Sequence, residues 1–296
     1  MFKMPKVSIV VPAYNVDEYL CECMDSLLNQ TLEDLEIICV DDGSTDRSPE
    51  ILCQYAEKDK RIKIITKKNS GYGHTMNVGI KAATGEYLGI VEPDDYVNPN
   101  MYKELSELAD ETGADIVKSD FYRFINEDGN IVRSYNQLTK IAGYYNRMID
   151  PTQEQTVFKF IMNTWSGVYR LSFLRKHNIY HNETPGASFQ DNGFWFQGFC
   201  LSHRVFFSDK PYYMNRRDNP NSSVNNKEKV FCANAEYEFI KNFLVKHNLY
   251  ETFKNVYVMK FWHNCWFTYN RIAVFCKPFL AKGYFYYAIN SCLNTN

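Results

Sequence analysis

The sequence predicts an α/β fold: a mostly parallel sheet flanked by helices, followed by a helical C-terminal extension. Three observations carry this. Between Val7 and Asp95, short apolar runs alternate four times with stretches of helical period, the pattern of a parallel sheet with helices on both faces. Each run stops at a polar loop, and right-handed crossovers put those loops on one sheet edge, where open α/β sheets bind ligands. The last loop, Glu92-Pro93-Asp94-Asp95, holds three carboxylates in four residues. Such a cluster repels itself unless water or a cation intervenes.

Val7 to Val11 is a buried first strand that Pro12 ends. After the Ala13-Tyr14-Asn15 loop comes a helix with Asp17 as its N-cap and Leu20, Met24, Leu27 and Leu28 on one face. Leu35 to Val40 is the second strand, running into the polar turn Asp41 to Asp46. Ser48-Pro49 opens the next helix, with Ser as cap and Pro at the first helical position. Ile62 to Thr66 is the third strand. Asn69 to Gly73 is a glycine-bearing loop before a helix that carries Met76, Ile80 and Ala83 and stops near Gly85. Tyr87 to Val91 is the fourth strand, with the acidic cluster at its end.

An amphipathic helix then spans Asn100 to Thr112, and Asp115 to Lys118 starts another strand. From Phe121 to Pro151 the chain is polar and irregular, with a turn at Glu127 to Asn130. A return to the sheet is expected between Val157 and Tyr169, then a short helix from Leu171. The loop Thr184 to Asp191 leads into an aromatic helix starting at Asn192. Val205–Ser208 and Tyr212–Arg216 read as two late strands, and the pattern from Lys227 onward is helical and aromatic.

Composition bounds the answer loosely. The 296 residues are 45% hydrophobic and 23% charged, which is ordinary for a globular protein long enough to bury a sizeable core. A net charge of −2 gives no support to nucleic-acid binding. The nine cysteines are scattered without a CxxC, which argues against a zinc site or a disulfide framework. Val7–Val11 is too short for a secretory signal, and no run approaches the length of a membrane span, so a reducing cytoplasm is the expected compartment. No GxGxxG follows the first strand, which disfavours a dinucleotide-binding dehydrogenase. A nucleotidyltransferase lacks its glycine-rich, basic signature at the same place.

Hard carboxylate oxygens at a strand end suit Mg²⁺ or Mn²⁺, ions that share their coordination with substrate phosphates. An isolated acidic turn before a helix is the plainer alternative. The loops together favour the ion. The stretches Val7 to Asn15, Val40 to Asp46, Asn69-Ser70-Gly71 with Met76-Asn77-Val78-Gly79, and Ala83 to Tyr87 running into Pro93-Asp94-Asp95 resemble, in order and spacing, the family 2 glycosyltransferases of GT-A fold. The likeness is specific from Val7 to Asp95 and looser to Ser223. It implies a Rossmann-like nucleotide-binding half at 1–98, an acceptor-binding half at 99–223, and an extension at 224–296.

The resemblance also implies roles. Pro12, Ala13, Tyr14 and Asn15 would line the base and ribose of a nucleotide-sugar donor, a UDP-sugar. Asp41 would accept a hydrogen bond from the base, Asp42 would support that turn, and Gly71 and Asn77 would close the pocket. Glu92, Pro93 and Asp94 would form the metal motif with Asp95, although Glu92 stands where the family usually has Asp. Asp94 leads as the direct ligand, then Asp95, then Glu92. The catalytic base would be Asp191, in a pair whose first member is Gln190 rather than the usual acid. Asp191 read as a simple helix cap is the alternative.

Trp165 is either a sugar platform or a core residue. Arg216 and Arg217 either clamp the diphosphate or form an exposed basic turn. His177 and His181 read as surface residues. The implied reaction is a metal-assisted single displacement that inverts the anomeric carbon. The acceptor would be a glycan or lipid-linked oligosaccharide of surface-polysaccharide synthesis. The departures at Glu92 and Gln190 leave open a catalytically degenerate nucleotide- or glycan-binding protein of the same fold. In the extension, basic residues interleave with Phe261, Trp262, Trp266, Phe267, Phe275, Phe279 and Tyr284 to Tyr287. That pattern fits peripheral contact with the inner face of the membrane, a helical cap on the core, or a dimer contact.

Overall fold

A computed structural model describes residues 4–223, 229 and 231–271. The expected alternation is present as β1 (Val7–Ala13), α1 (Asp17–Leu28), β2 (Leu35–Asp41), α2 (Ser48–Lys58), β3 (Ile62–Thr66), α3 (Tyr72–Ala82) and β4 (Tyr87–Ile90). There follow β5 (Tyr96–Val97), α4 (Met101–Thr112), β6 (Ile116–Glu127), β7 (Asn130–Asn136) and β8 (Met148–Ile149). A 3-10 turn (Gln155–Lys159) leads to β9 (Gly167–Arg170), α5 (Leu171–Lys176), α6 (Gln190–Leu201) and β10 (Val205–Arg216). Helices α7 (Cys232–Lys246) and α8 (Tyr250–Arg271) complete the described chain.

One mixed sheet runs β3-β2-β1-β4-β9-β6-β10-β5. Strands β1 to β4 pair in parallel. Strand β9 is antiparallel to both β4 and β6, so β6 points the same way as β4, and β10 is parallel to β6. Strands β3, β2, β1, β4, β6 and β10 therefore all end on one edge, and β9, running the other way, begins there. Every residue of β1, β2 and β4 is buried, as strands covered on both faces require. Helix α3 lies so close to β1 that a Cβ at Gly79 would stand 2.4 Å from a Val10 methyl.

Five expectations need correction. Asp17 is the first residue of α1 and Ser48 the first of α2, so neither is a cap; Asp46 accepts the Asp17 N–H at 3.0 Å and the Ser48 N–H at 2.9 Å, so one carboxylate holds the starts of two helices. The irregular stretch after Phe121 is a hairpin: β6 pairs with β7 from Phe121↔Asn136 to Glu127↔Asn130. Strand β7 is exposed nearly throughout, so no apolar alternation marked it. The two late strands are one, β10, with a shift of register between Ser208 and Tyr213. His181 is buried, stacked 4.4 Å from Phe194 and edge-on to Tyr72.

Helices α7 and α8 share the apolar core of the sheet through Tyr237, Ile240, Phe253, Tyr257 and Phe261. Lys260 of α8 is buried and donates to the Phe160 carbonyl at 2.7 Å; burial lowers its pKa to about 8. The outer face of α8 instead exposes Val258, Trp262, Trp266 and Phe267. No helix among the described residues is long and apolar enough to cross a membrane. Phe275, Phe279 and Tyr284 to Tyr287 lie outside the described residues.

Glu36 ties three segments of the sheet together. It takes hydrogen bonds from Ser8 Oγ at 2.5 Å, the Thr84 N–H at 2.6 Å and Lys63 Nζ at 2.5 Å. Burial raises its pKa, but these bonds outweigh it and the net shift is downward. A depressed carboxylate stabilises the fold above its unfolded pKa and loses that contribution as pH falls through the folded one. Glu36→Gln should therefore cost about 1–2 kcal/mol at neutral pH, and the difference from the native chain should shrink below about pH 4. Urea denaturation at pH 7 and pH 3.5 checks both.

Candidate active site

Side chains lace the loops at the strand C-termini into one rim. Asn15, in a left-handed conformation (φ 51°), donates its N–H to Ser44 Oγ at 3.1 Å and accepts the Thr45 N–H at 2.8 Å. This joins the loop after β1 to the turn after β2. Asp41 accepts the Ser44 N–H at 3.0 Å and leaves its second oxygen without a partner among the described residues. Asp42 pairs with Lys67 and accepts the N–H groups of Ser70 at 2.8 Å and Gly71 at 2.9 Å, fixing the loop after β3. Pro12 and Ala13 are buried at the end of β1, whereas the Tyr14 ring is 49% exposed beside them.

The acidic cluster lies at the end of β4. Glu92 accepts from Tyr72 Oη at 2.7 Å, and its own N–H donates to Tyr213 Oη at 3.0 Å. Burial pushes the Glu92 carboxyl up to about 8; the Tyr72 hydroxyl opposes this, and the charges of Asp94 and Asp191 add to it. Pro93 is buried in the turn. Asp95 is buried and taken up by the Arg216 N–H at 2.6 Å and Asn215 Nδ2 at 3.1 Å. Asp94 has one oxygen on Asn219 Nδ2 at 2.8 Å. No group of three or more His, Cys, Asp or Glu converges as a ready ligand set among the described residues. An ion held through Asp94 would therefore draw most of its oxygens from elsewhere, as Mg²⁺ and Mn²⁺ do on phosphates.

Asp191 comes to this cluster from α6. Its charge acts on Glu92 and on Tyr72. Burial lifts the Asp191 carboxyl to about 6. Its loop is built against the start of α3: the Tyr72 N–H donates to the Gly186 carbonyl at 2.9 Å. A Cβ on Gly71 would meet Gly186 N at 2.8 Å, and one on Gly73 would meet the Asn182 carbonyl at 1.9 Å. Asn77 also serves this junction, donating to the His181 carbonyl at 2.9 Å and to Glu183 Oε1 at 2.8 Å and accepting the His181 N–H at 2.8 Å. Gln190 braces the loop from within. Its Oε1 accepts the Ser188 N–H at 2.5 Å, and its Nε2 donates to Thr184 Oγ1 at 2.9 Å and the Gly186 carbonyl at 3.2 Å.

Trp165 is half-buried just before β9, on the edge where β4 ends and alongside the middle of β6. It stacks 4.2 Å from Tyr213, whose hydroxyl holds Glu92. Arg216 is enclosed: Nε donates to the Asp94 carbonyl at 2.9 Å, the guanidinium pairs with Glu22 and Asp218, and it lies 4.6 Å over Phe124. Its place is beneath the acidic turn rather than free above it. Arg217 is exposed. Tyr72, Tyr213, Asn215 and Asn219 escaped the sequence reading, although Tyr72 adjoins Gly71. Glu236 escaped it too. This α7 residue accepts the Gly193 N–H of α6 at 2.8 Å and Asn182 Nδ2 at 3.0 Å, and burial lifts its carboxyl to about 8. Gly193 and Glu236 are 43 positions apart, and no local pattern announces the pair.

Known proteins resemble this chain in sequence and in fold. The family model described as glycosyl transferase family 2 matches residues 8–175. The uncharacterized glycosyltransferase EpsJ of Bacillus subtilis is 37% identical over 219 residues, covering 74% of this chain and 63% of EpsJ. The glycosyltransferase GlyG of Streptococcus pneumoniae is 31% identical, covering 71% of this chain and 70% of its own length. Among solved structures, S. aureus TarS 1-349 in complex with UDP-GlcNAc superposes with a TM-score of 0.61 at 21% identity. That match covers 93% of this chain and 86% of TarS 1-349, and its identity speaks to the fold alone. The mannosyltransferase PcManGT of Pyrobaculum calidifontis, in complex with GDP-Man and Mn2+, gives 0.59 at 16% identity, covering all of this chain and 77% of that one.

Backbone contact at Gly73 leaves no room for a methyl group, so Gly73→Ala must push α3 away from residues 182–186. The expected cost is about 1–3 kcal/mol. Thermal denaturation should show the loss of stability.

Proposed function

The chain belongs to glycosyl transferase family 2, and we propose that it transfers a sugar from a UDP-sugar to a hydroxyl of a glycan or lipid-linked oligosaccharide in surface-polysaccharide synthesis. The observation that carries this reading is the junction at Tyr72, whose N–H holds the loop that leads to Asp191 and whose hydroxyl holds Glu92 of the acidic cluster. A carboxylate with its pKa near 6 there is suited to act as a general base at neutral pH.

In this reading the half-exposed Tyr14 ring stacks on the base, with Pro12, Ala13 and Asn15 beside the nucleoside. The open oxygen of Asp41 accepts from the uracil ring N–H. Asp42, Gly71 and Asn77 hold the surrounding loops in place. A divalent Mg²⁺ or Mn²⁺ fits a site led by Asp94, with Glu92 and Asp95 behind it, and supplies neutralisation of the charge that develops on the leaving diphosphate. Asp191 removes the proton from the acceptor hydroxyl as the new bond forms on the face opposite the leaving group, so the anomeric carbon inverts. Trp165 and Gln190 border the acceptor. The UDP-GlcNAc held by TarS and the GDP-Man and Mn2+ held by PcManGT support a nucleotide-sugar donor and a metal. We also place the protein in the cytoplasm, against the inner face of the membrane. The exposed ridge of Val258, Trp262 and Trp266 supports that contact, since Trp favours the membrane interface.

Asp191→Asn should lower turnover by about 10²–10⁴-fold, the usual worth of a general base, with nucleotide affinity nearly unchanged. In the native chain the base must be ionised, so kcat/KM should fall as pH drops through about 6. Near-normal turnover by the variant would sink the base assignment. Calorimetry with UDP-, GDP-, CMP- and dTDP-sugars, with Mn²⁺ and with EDTA, identifies the donor class; binding of none in either condition would refute the donor site.

A further inference from the structure

Strand register sets Arg123 beside Asn215, next to the acidic cluster, with Arg217 diagonal to it just past the end of β10. Neighbouring residues in register point to the same sheet face, and successive residues alternate. Tyr213 pairs with Phe121, and Asn215 with Arg123. Phe121, Arg123, Tyr213 and Asn215 therefore share a face, and Arg217, two residues past Asn215, continues it. The contacts agree. Trp165 stacks on Tyr213 and meets Phe121 edge-on at 4.9 Å, and the Arg123 guanidinium stands 5.7 Å over the Phe121 ring. Asn215 holds Asp95 from the same face. Phe124 and Arg216 point the other way and pack on one another.

Arg123 and Arg217 are both exposed. Arg61, Arg147, Arg170, Arg204 and Arg216 each close an ion pair with a carboxylate. Arg123 and Arg217 have no acidic partner among the described residues. Partial desolvation against Phe121, and then the charge of Arg217, holds the Arg123 guanidinium below its usual value. Two cations kept adjacent destabilise one another, and an oxyanion between them relieves this. The guanidinium fork matches phosphate and carboxylate geometry.

We propose that Arg123 and Arg217 form an oxyanion subsite beside Trp165, so that the acceptor carries a phosphate or carboxylate close to the sugar being extended. This rests on the glycosyltransferase reading for the word acceptor, but the binding of an anion here does not. The donor diphosphate belongs at Asp94, reached from the loops of β1 and β2. The arginine pair lies beyond Asn215, on the face that bears Trp165. A neutral acceptor would leave two unpaired cations at its edge, whereas an anionic one pairs them.

The test is calorimetric titration of the full chain with glucose, glucose 6-phosphate and glucuronate, each with and without UDP and Mn²⁺. The native chain is compared with the Arg123→Gln/Arg217→Gln double variant. At least one anionic probe should bind more tightly than glucose, and the double variant should weaken it by about tenfold or more, the usual worth of a charged hydrogen bond. Raising salt should weaken it in the native chain as well. Whichever anionic probe prevails decides between phosphate and carboxylate. UDP affinity should be the same in both chains within about twofold. The proposal is overturned if the anionic probes bind no better than glucose, or bind the variant as they bind the native chain. It is equally overturned if the variant loses UDP affinity, which would put the pair on the donor. A native chain that binds the anionic probe but no nucleotide would uphold the subsite while sinking the donor reading.

Discussion

Everything at the proposed active site depends on a backbone-to-backbone contact between the start of α3 and residues 182–186. Gly71 and Gly73 lack the Cβ atoms that would forbid it, and the Tyr72 N–H to Gly186 bond closes it. Through this contact the loop bearing Asp191, which arrives more than a hundred residues after the Gly71 loop, is fixed against the β1–β4 half of the sheet. Because the contact is made of main chain, its geometry is far stiffer than a junction of long side chains. Tyr72 then uses the position it gains: it reaches from the junction to Glu92, and the charges of Glu92 and Asp191 both bear on it.

The first ninety-five residues were legible because their constraints are local. Strands covered on both faces must be continuous apolar runs, and the loops at their ends must be polar and rich in turn residues. Val7–Ala13, Leu35–Asp41 and Tyr87–Ile90 obey this, and the acidic cluster falls where the pattern puts it. The β6–β7 hairpin was not legible, since β7 is wet along its length and carries no period. His181 misled for the opposite reason. A polar ring between Tyr72 and Phe194 is a tertiary packing fact that no spacing of residues records.

Glu236 marks the deeper limit. Sequence divides the chain near residue 224 and makes the C-terminal remainder an extension, yet α7 returns a buried carboxylate to the first turn of α6. There it receives Gly193, where a Cβ would stand 2.3 Å from Glu236 Oε1 and displace the carboxylate. The helix that carries the proposed base is thus held from behind by a residue outside the span of the family model. A stretch that looks accessory by its motifs shares the core and helps to position the site.

The two departures from the family pattern argue against decay of that site. In a site freed from selection on geometry, a longer acid or a neutral amide would leave buried polar atoms without partners, at about 1–3 kcal/mol each. Glu92 instead meets the Tyr72 hydroxyl, with its backbone N–H on Tyr213. Gln190 does what a carboxylate in its place cannot, since it donates to Thr184 Oγ1 and the Gly186 carbonyl while accepting from Ser188. A Glu at 190 could still accept from the Thr184 hydroxyl, but it would set carboxylate oxygens against the Gly186 and Thr184 carbonyls and a second negative charge beside Asp191. The amide keeps the loop closed and keeps its own charge out of the site. The pKa of Asp191 near 6 then reflects burial, opposed by the backbone N–H groups of Asp191 and Asn192, without the further rise that a neighbouring acid would bring.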